Sequence, residues 1–316
     1  MKGIDSIELN RKMIKWNEKV QYIITDVDDT IAPIYHNVLM KTVWKLEELL
    51  KRNIKIILIS GQSVSNIVKR VTNHINPHLR KNIFISHCNG AEIYEFDKQG
   101  MLISEPFFSI LQYVSIDNSK LWMLMEDIRK KFKLHYVFTT NIDEFKKIAG
   151  NSKIFVMVDD RNVQISIDFI NGINKDDSLE SDIRIDIIQY AKELFEIHNL
   201  EIEPKLGGMC AIDFNIKGVD KGLAVRRLFT VSDDTKERLE KQIILNSSQE
   251  VEVWGDSFSS ANGNSDFPMC SSLPNDVRTI CFRWCLDYHE NYNIQQWNGS
   301  MELSEGLYEY LDSFLT

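Results

Sequence analysis

The chain is 316 residues long, and since single domains cluster near about 100–150 residues, it has room for a core plus a second compact unit. With 43% hydrophobic and 26% charged residues and only 14 Gly and 6 Pro, it falls outside the collagen-like and low-complexity classes and needs neither disulfides nor a structural metal to bury a core. Forty-six acidic against 37 basic residues give a formal charge of −9, which argues against a broad basic face for nucleic acid but leaves room for a local cationic pocket that takes a small phosphate.

The first nineteen residues are charged throughout and show no apolar core of a signal peptide; Ile7, Leu9, Met13, Ile14 and Trp16 follow a loosely helical period and predict a short leading helix over 5–19. YIIT at 22–25 is a short apolar run ending in DVDDT. A helical pattern follows over 38–52, then the strand-sized run IKIILI at 54–59, a second helical pattern over 63–72, and IFIS at 83–86. Continuous apolar strands alternating with amphipathic helices predict a parallel sheet covered on both faces.

After Asn89 and Gly90 the rhythm changes. KIFVMVDD at 153–160 and NVQISIDF at 162–169 alternate apolar and polar residues, as an antiparallel sheet with one wet face requires, and helical stretches at 118–132 and 183–198 accompany them. The polar segment 171–182 reads as a mobile loop. The βα rhythm resumes with a helix at 219–229, strands EVEVW at 250–254 and VRTICF at 277–282, and a last helix near 303–314. The fold class is therefore α/β: a doubly wound, Rossmann-like core over 1–90 and 206–316, with an inserted α+β unit over 91–205. No apolar run approaches the length that spans a bilayer, and the five cysteines (Cys88, Cys210, Cys270, Cys281 and Cys285) lack paired CxxC spacing, so the sequence predicts a soluble cytoplasmic protein with reduced thiols.

In an open parallel sheet, ligands gather beyond the carboxyl ends of the strands, and four such ends carry polar residues. Asp26, Asp28 and Asp29 with Thr30 follow the first strand; three carboxylates so close repel one another unless a hard cation such as Mg2+ compensates. Ser60-Gly61 follows the second strand and opens a helix whose amino terminus favours anions. Lys221 stands in the first turn of a helix, where it works against the helix dipole. Gly255-Asp256 follows EVEVW and leads into a loop with Asn262, Asn264 and Asp266. Taken singly, each has a plainer reading: a solvated acidic turn, an N-cap, a solvated lysine, a surface loop. In order, at the strand ends of one sheet, they supply a nucleophile, phosphate holders and metal ligands.

These four groups resemble the motifs of haloacid dehalogenase superfamily phosphotransferases, at DVDDT 26–30, ILISG 57–61, Lys221 and GDSFSSANGNSD 255–266. The stretch between the second and third resembles the large α/β cap of the subclass containing Cof-type sugar phosphatases, sucrose and trehalose phosphatases and eukaryotic phosphomannomutases. CNGAEIY at 88–94 resembles the segment where that cap begins, while DDRNVQIS at 159–166 and GGMCAIDFNIKGVDKG at 207–222 are most similar to the phosphomannomutase version.

The resemblance implies Asp26 as the nucleophile that forms an aspartyl phosphate, and Asp28 as general acid and then base. It implies Mg2+ held by the Asp26 carboxylate, the Asp28 backbone carbonyl and Asp256, and phosphoryl oxygens held by Thr30, Ser60, Gly61 and Lys221. Asn264 and Asp266 are expected behind the metal or on its waters, and Asn89 and Arg161 at the substrate. Three departures stand out: Asp29 occupies a position often glycine, Asn264 and Asp266 are separated by Ser265 where many relatives have them adjacent, and neither APIYHN at 32–37 nor IDFING at 167–172 carries an arginine found in phosphomannomutases. A mutase must hold a second phosphate. The expectation is thus a Mg2+-dependent phosphomonoesterase acting on a small phosphorylated metabolite, a sugar phosphate in particular, with no nucleic-acid or membrane partner; a hexose phosphate phosphomutase and a non-catalytic phosphometabolite sensor are the alternatives.

Overall fold

The computed structural model describes residues 14–171, 183–207, 210–230, 242–259, 264–284 and 289–315. In chain order the main elements are β1 (Tyr22–Asp26), α1 (Met40–Lys51), β2 (Lys55–Ile59), α2 (Val64–Arg70), α3 (Pro77–Arg80), β3 (Ile83–His87), β4 (Glu92–Glu95), β5 (Phe108–Ser109), α4 (Asn118–Lys131), β6 (His135–Phe138), α5 (Ile142–Ala149), β7 (Phe155–Asp160), β8 (Gln164–Asp168), α6 (Ile183–Ile197), β9 (Ile202–Gly207) and β10 (Ala211–Ile216). They continue with α7 (Lys221–Leu228), β11 (Phe229–Thr230), β12 (Ile243–Ile244), β13 (Val251–Gly255), α8 (Phe267–Ser271), β14 (Arg278–Cys281), β15 (Ile294–Gln296) and α9 (Leu303–Asp312).

Among the described residues the larger sheet has eight strands in the order β15-β14-β13-β1-β2-β3-β4-β5, parallel from β15 through β3 and antiparallel at β4 and β5. Both faces of its central strands are covered, which is why they read as unbroken apolar runs: Ile24 of β1 and Ile57 of β2 enter one hydrophobic cluster, Ile23 and Ile56 the other. Each such isoleucine contributes about 1.5–3 kcal/mol of burial. On α1 the buried positions Thr42, Val43, Leu46, Leu49 and Leu50 recur at helical spacing and form one stripe. Glu252 of β13 is fully buried yet satisfied, accepting from Trp254 Nε1 at 2.7 Å, from Tyr310 Oη of α9 at 2.8 Å and from Arg278, so a polar tie fixes the last helix to the sheet.

The second sheet has the order β6-β7-β8-β10-β9. Its pairing shifts the limits drawn from sequence. Strands β4 and β5, assigned to the insertion, hydrogen-bond onto the larger sheet, because β3 leaves an open edge that antiparallel pairing closes. At the other end β10, assigned to the core, pairs with β8 and β9 inside the second sheet and carries it to Ile216. The second sheet is also not antiparallel throughout, since β6 and β7 run parallel.

The expected leading helix lies partly in residues 1–13, outside the described residues, and from Ile14 to Lys19 the chain is not helical. There Trp16 stacks on Phe314 with centroids 4.5 Å apart, and packing against the carboxyl-terminal helix overrides the weak helical period. The polar segment expected as a loop falls almost wholly in 172–182 and Cys285 in 285–288, both outside the described residues; Cys88, Cys210, Cys270 and Cys281 are free thiols. No helix among the described residues is long and apolar enough to cross a membrane.

Residues Cys88, Asn89 and Gly90 all adopt positive φ, 50°, 57° and 103°, and this tight turn brings the chain against the start of α7. A Cβ on Gly90 would lie 2.5 Å from the Asp220 carbonyl oxygen and 3.2 Å from the Ala224 nitrogen. Gly90→Ala is therefore expected to cost about 2–3 kcal/mol of stability, combining strain at positive φ with a backbone clash, measured as a lower midpoint in urea unfolding with an unchanged slope; a loss below about 0.5 kcal/mol would show that α7 can move away freely.

Candidate active site

The larger sheet reverses its winding between β1 and β13: β2 and β3 extend it on one side of β1, β13, β14 and β15 on the other. A crevice at the carboxyl ends follows from that topology. Asp26 ends β1, Asp256 follows β13, and Lys221 opens α7 between them. Lys221 is turned inward and buried, its Nζ 2.5 Å from Asp26 Oδ1 and 2.6 Å from Asp266 Oδ1. The cap of α7 is supplied instead by Asp220, whose carboxylate accepts from the Leu223 amide at 2.9 Å. The lysine set against its helix dipole is thus explained by what it holds.

Asp266, fully buried, also ties the β13 tip: its Oδ2 accepts from the amides of Asp256 at 3.0 Å and Ser257 at 2.9 Å. Asp256 Oδ1 receives Thr30 Oγ1 at 3.5 Å, and Asp256 Oδ2 receives Arg283 Nη2 at 2.6 Å and Nε at 3.0 Å. Asp28 stands slightly apart. Its Oδ1 accepts from Arg70 Nη1 at 2.7 Å and Gln62 Nε2 at 2.9 Å, and its Oδ2 from Ser60 Oγ at 3.2 Å. Asp29 has φ 59°, a conformation natural to glycine, and is stabilised there as its Oδ1 accepts from the Ile34 amide at 3.1 Å.

The structure assembles Asp26, Asp28, Thr30, Ser60, Lys221, Asp256 and Asp266 at one end of the sheet. Asn264, with φ 55°, turns its Oδ1 towards His289 Nε2 at 3.2 Å. The carboxylates close enough to share a metal are Asp26, Asp256 and Asp266, with ligand atoms within 4.8 Å of one another; the Asp28 side chain pairs with Arg70, and the metal contact expected of Asp28 is its backbone carbonyl. Three residues escaped the sequence reading. Arg70 stands three beyond Ile67 on the buried stripe of α2, a spacing that alone does not tell a buried arginine from a solvated one. Arg283 stands just past the end of β14, another carboxyl end of the same sheet, and Gln62 sits one residue beyond the expected Ser60-Gly61.

Burial pushes the Asp26 carboxyl well above its ordinary range; Lys221 opposes this, while Asp266, Asp256 and Asp28 add to it. Asp256 is pushed up to about 7 by burial and by Asp266, against Arg283. Burial works to lower the Lys221 ammonium, but Asp26 and Asp266 outweigh it and hold the ammonium above the usual lysine value. Five carboxylates (Asp26, Asp28, Asp29, Asp256 and Asp266) share three cations (Lys221, Arg70 and Arg283), so a divalent cation fits the deficit, and all the donors are hard oxygens. Asp266 already spends both oxygens on Lys221 and two amides, leaving Asp26 and Asp256 as the better ligands.

The second sheet reaches this site through Arg161 and Asn89. Arg161 pairs with Asp159 at 2.6 Å and donates from Nη1 to the Gly61 carbonyl at 2.6 Å and to Gln164 Oε1 at 3.0 Å. Asn89 Nδ2 donates to Asp213 Oδ2 at 3.4 Å. Gly61 is closely placed, since a Cβ there would lie 3.2 Å from Asn89 Oδ1, which would have to shift slightly, and 3.4 Å from Asp213 Oδ2.

An acidic cluster and a buried lysine thus meet at the switch point of an open parallel sheet, where α/β proteins of this winding bind their ligands. A profile of haloacid dehalogenase-like hydrolases matches residues 23–239, and the chain belongs to that family. Among solved structures it is similar to a haloacid dehalogenase-like hydrolase from Bacteroides thetaiotaomicron, at 15% identity and a TM-score of 0.55 over 94% of this chain and 100% of that one. It is also similar to a Streptococcus mutans protein, at 15% identity and a TM-score of 0.54 over 94% and 99% of the two chains. An IMP-bound mutant of the Plasmodium falciparum IMP-nucleotidase aligns at 12% identity and a TM-score of 0.53 over 95% of this chain and 67% of that one. At these identities the likeness is one of fold. The curated proteins contain no match.

Asp168, beside this interface, is pushed up to about 7 by burial; Arg161 opposes the shift and Asp213 and Asp159 add to it. A carboxyl raised above its unfolded value stabilises the fold when protonated, so its contribution is full below about pH 4 and is lost as the pH rises through about 7. Asp168→Asn keeps the neutral form at every pH. The variant is expected to melt about 5 °C above wild type at pH 8, the gap closing as the pH falls from 7 towards 4; an equal difference at pH 5 and pH 8 in thermal melts would contradict it.

Proposed function

We propose that this hydrolase is a Mg2+-dependent phosphomonoesterase of the large-capped subclass, acting on a small phosphorylated metabolite, in particular a sugar phosphate. In this reading the larger sheet and its helices are the catalytic core, and the unit built on the second sheet is the cap. The observation that carries it is the pairing of Lys221 with Asp26 at the carboxyl end of β1, beside Asp256 and Asp28. A nucleophilic carboxylate, a cation to hold phosphoryl oxygens and ligands for a hard metal meet there.

Asp26 attacks phosphorus in line, a P–O bond forms to its carboxylate, and the bond to the alkoxide breaks, giving an aspartyl phosphate. Asp28 turns from Arg70 towards the leaving oxygen, gives it a proton, and then takes one from the water that cleaves the aspartyl phosphate. Lys221 and the hydroxyls of Ser60 and Thr30 hold the phosphoryl oxygens, Lys221 as a charged donor. Asp26 and Asp256 would hold Mg2+, which would supply the positive charge that lets a carboxylate and a phosphate approach. Hydrolysis is favoured over mutation because Arg161, the arginine of the DDRN segment at 159–162, is committed to Asp159 and to the Gly61 carbonyl.

Phosphate release is expected from p-nitrophenyl phosphate and from sugar phosphates with Mg2+, to stop in excess EDTA and to return when Mg2+ is added back. Full activity in EDTA would remove the metal from the scheme. Asp26→Asn is expected to lower kcat by at least about 10³-fold with an unchanged circular dichroism spectrum. Retention of a tenth of the activity, about 1.4 kcal/mol of barrier, would exclude Asp26 as nucleophile.

A further inference from the structure

Both faces of the second sheet are covered. Val158, Ile165 and Ile212 enter the hydrophobic core on one side, and the polar alternates expected to be wet, Ser166 and Asp213 among them, are buried on the other. The edge at β6 is open: among the described residues no strand pairs with its outer side. His135 donates its backbone N–H to the Ile154 carbonyl at 2.8 Å, so the N–H and C=O groups of Tyr136 and Phe138, which alternate with it along the parallel ladder, face away from β7. Bare edges are ordinarily blunted by lysine, proline or a bulge, since their backbone groups pair with any strand that arrives. HYVF at 135–138 has none of the three, and its residues pair with β7 in unbroken register.

A groove of about 520 Å3 lies at this strand. It is lined by Trp122, Glu126 and Arg129, each one turn from the next on α4, by β6 itself and by Ile148 of α5. Phe138 is 64% and Ile148 54% exposed, an apolar surface that α4 and α5 leave uncovered. The side-chain polar groups of the groove are already engaged. Glu126 and Arg129 hold each other through two contacts of 2.6 Å, Trp122 donates its indole N–H to Asp160 at 3.2 Å, and Tyr136 gives its hydroxyl to the Met125 carbonyl at 3.0 Å. What remains is strand-edge main chain with apolar surface beside it. A small polar ligand finds few partners there, whereas an extended chain pairs with the edge and lays alternate side chains on the apolar surface.

Charge selects which kind of chain. Residues 118–155, which supply every lining side chain, carry eight Lys and Arg against four Asp and Glu, in a protein with 37 against 46. Lys130, Lys133, Lys146, Lys147 and Lys153 among them are exposed. We propose that β6 is a docking edge for an acidic, extended peptide segment of a partner protein, which adds a strand to the second sheet, with apolar side chains on Trp122, Phe138 and Ile148 and carboxylates among these lysines. None of these residues belongs to the phosphoryl site.

The test titrates the full chain into a fluorescein-labelled peptide, Asp-Val-Glu-Phe-Glu-Val-Asp, and reads fluorescence anisotropy. Binding is expected to be at least about tenfold tighter than for the counterpart with lysine at every acidic position and for the one with proline at the centre, and to weaken as salt rises from about 0.05 to 0.5 M. Phe138→Ala and the double variant Lys146→Glu, Lys147→Glu are each expected to weaken it at least about tenfold, with melting temperatures within about 2 °C of wild type, because all three side chains are exposed. Saturating peptide is expected to slow hydrogen exchange at the Tyr136 and Phe138 amides, which a side-chain contact alone would leave unchanged. No binding, equal binding of the lysine or proline peptide, or protection that avoids β6 overturns the inference. Dimerisation of the full chain without peptide, abolished by Phe138→Ala, would give the edge to a second copy and overturn it as well.

Discussion

Lys221 between Asp26 and Asp266 is the contact on which the rest of the molecule depends. Removing an ammonium from water costs several kcal/mol after relaxation, and a buried cation persists only with close partners of opposite charge. Two carboxylates at about hydrogen-bond distance supply them, yet they come from chain segments far apart in sequence: the end of β1 and the residue before α8. The third partner arrives only after the chain has left the larger sheet, built the second and returned. The tight turn at Gly90 and the Asp220 cap both serve that return, the first by allowing α7 to come close, the second by freeing Lys221 from capping duties. Removing Lys221 would leave two buried carboxylates without it, which makes the site the place where the first strand, the return from the second sheet and the last strands are registered against one another.

The sequence made the core visible because burial on both faces leaves a mark that short-range pattern can carry. YIIT and IKIILI could be read as strands without knowledge of their neighbours, and polar residues immediately after them had to sit at strand ends. Asp26, Ser60 and Asp256 were found that way, and Lys221 by its place in the first turn of a helix. Arg70 and Arg283 were not, since an arginine in a helix's last turn or just past a strand looks like an ordinary solvated residue until its partner is known; their meaning lies in Asp28 and Asp256, remote in sequence. Asp266 was placed near the metal, but its grip on the Asp256 and Ser257 amides depends on how the loop folds back. The limits of the insertion were misplaced for a related reason. Period-two alternation reports that one face is polar, and says nothing of which sheet the strand joins or what covers the polar side.

That last point has a consequence for the charges. The acids at the carboxyl end of the larger sheet are matched by Lys221, Arg70 and Arg283, and the remaining deficit is of a size that a divalent cation closes. The acids of the second sheet have a different balance. Asp159 and Arg161 pair closely, while Asp168 and Asp213 are both raised by burial that Arg161 only partly relieves. A fold selected for stability alone would place serine or asparagine there, or turn the face to water.

Keeping carboxylates at such positions costs stability that Arg161 offsets only in part. The same arrangement explains why the two sheets touch where they do. Arg161 neutralises Asp159 and simultaneously anchors the second sheet to the Gly61 carbonyl, one residue beyond the hydroxyl of Ser60 that faces Asp28. Asn89 on Asp213 is a second contact beside it. A Cβ on Gly61 would crowd Asn89 Oδ1 at 3.2 Å and just touch Asp213 Oδ2 at 3.4 Å, so the small residue lets the loop lie close to both.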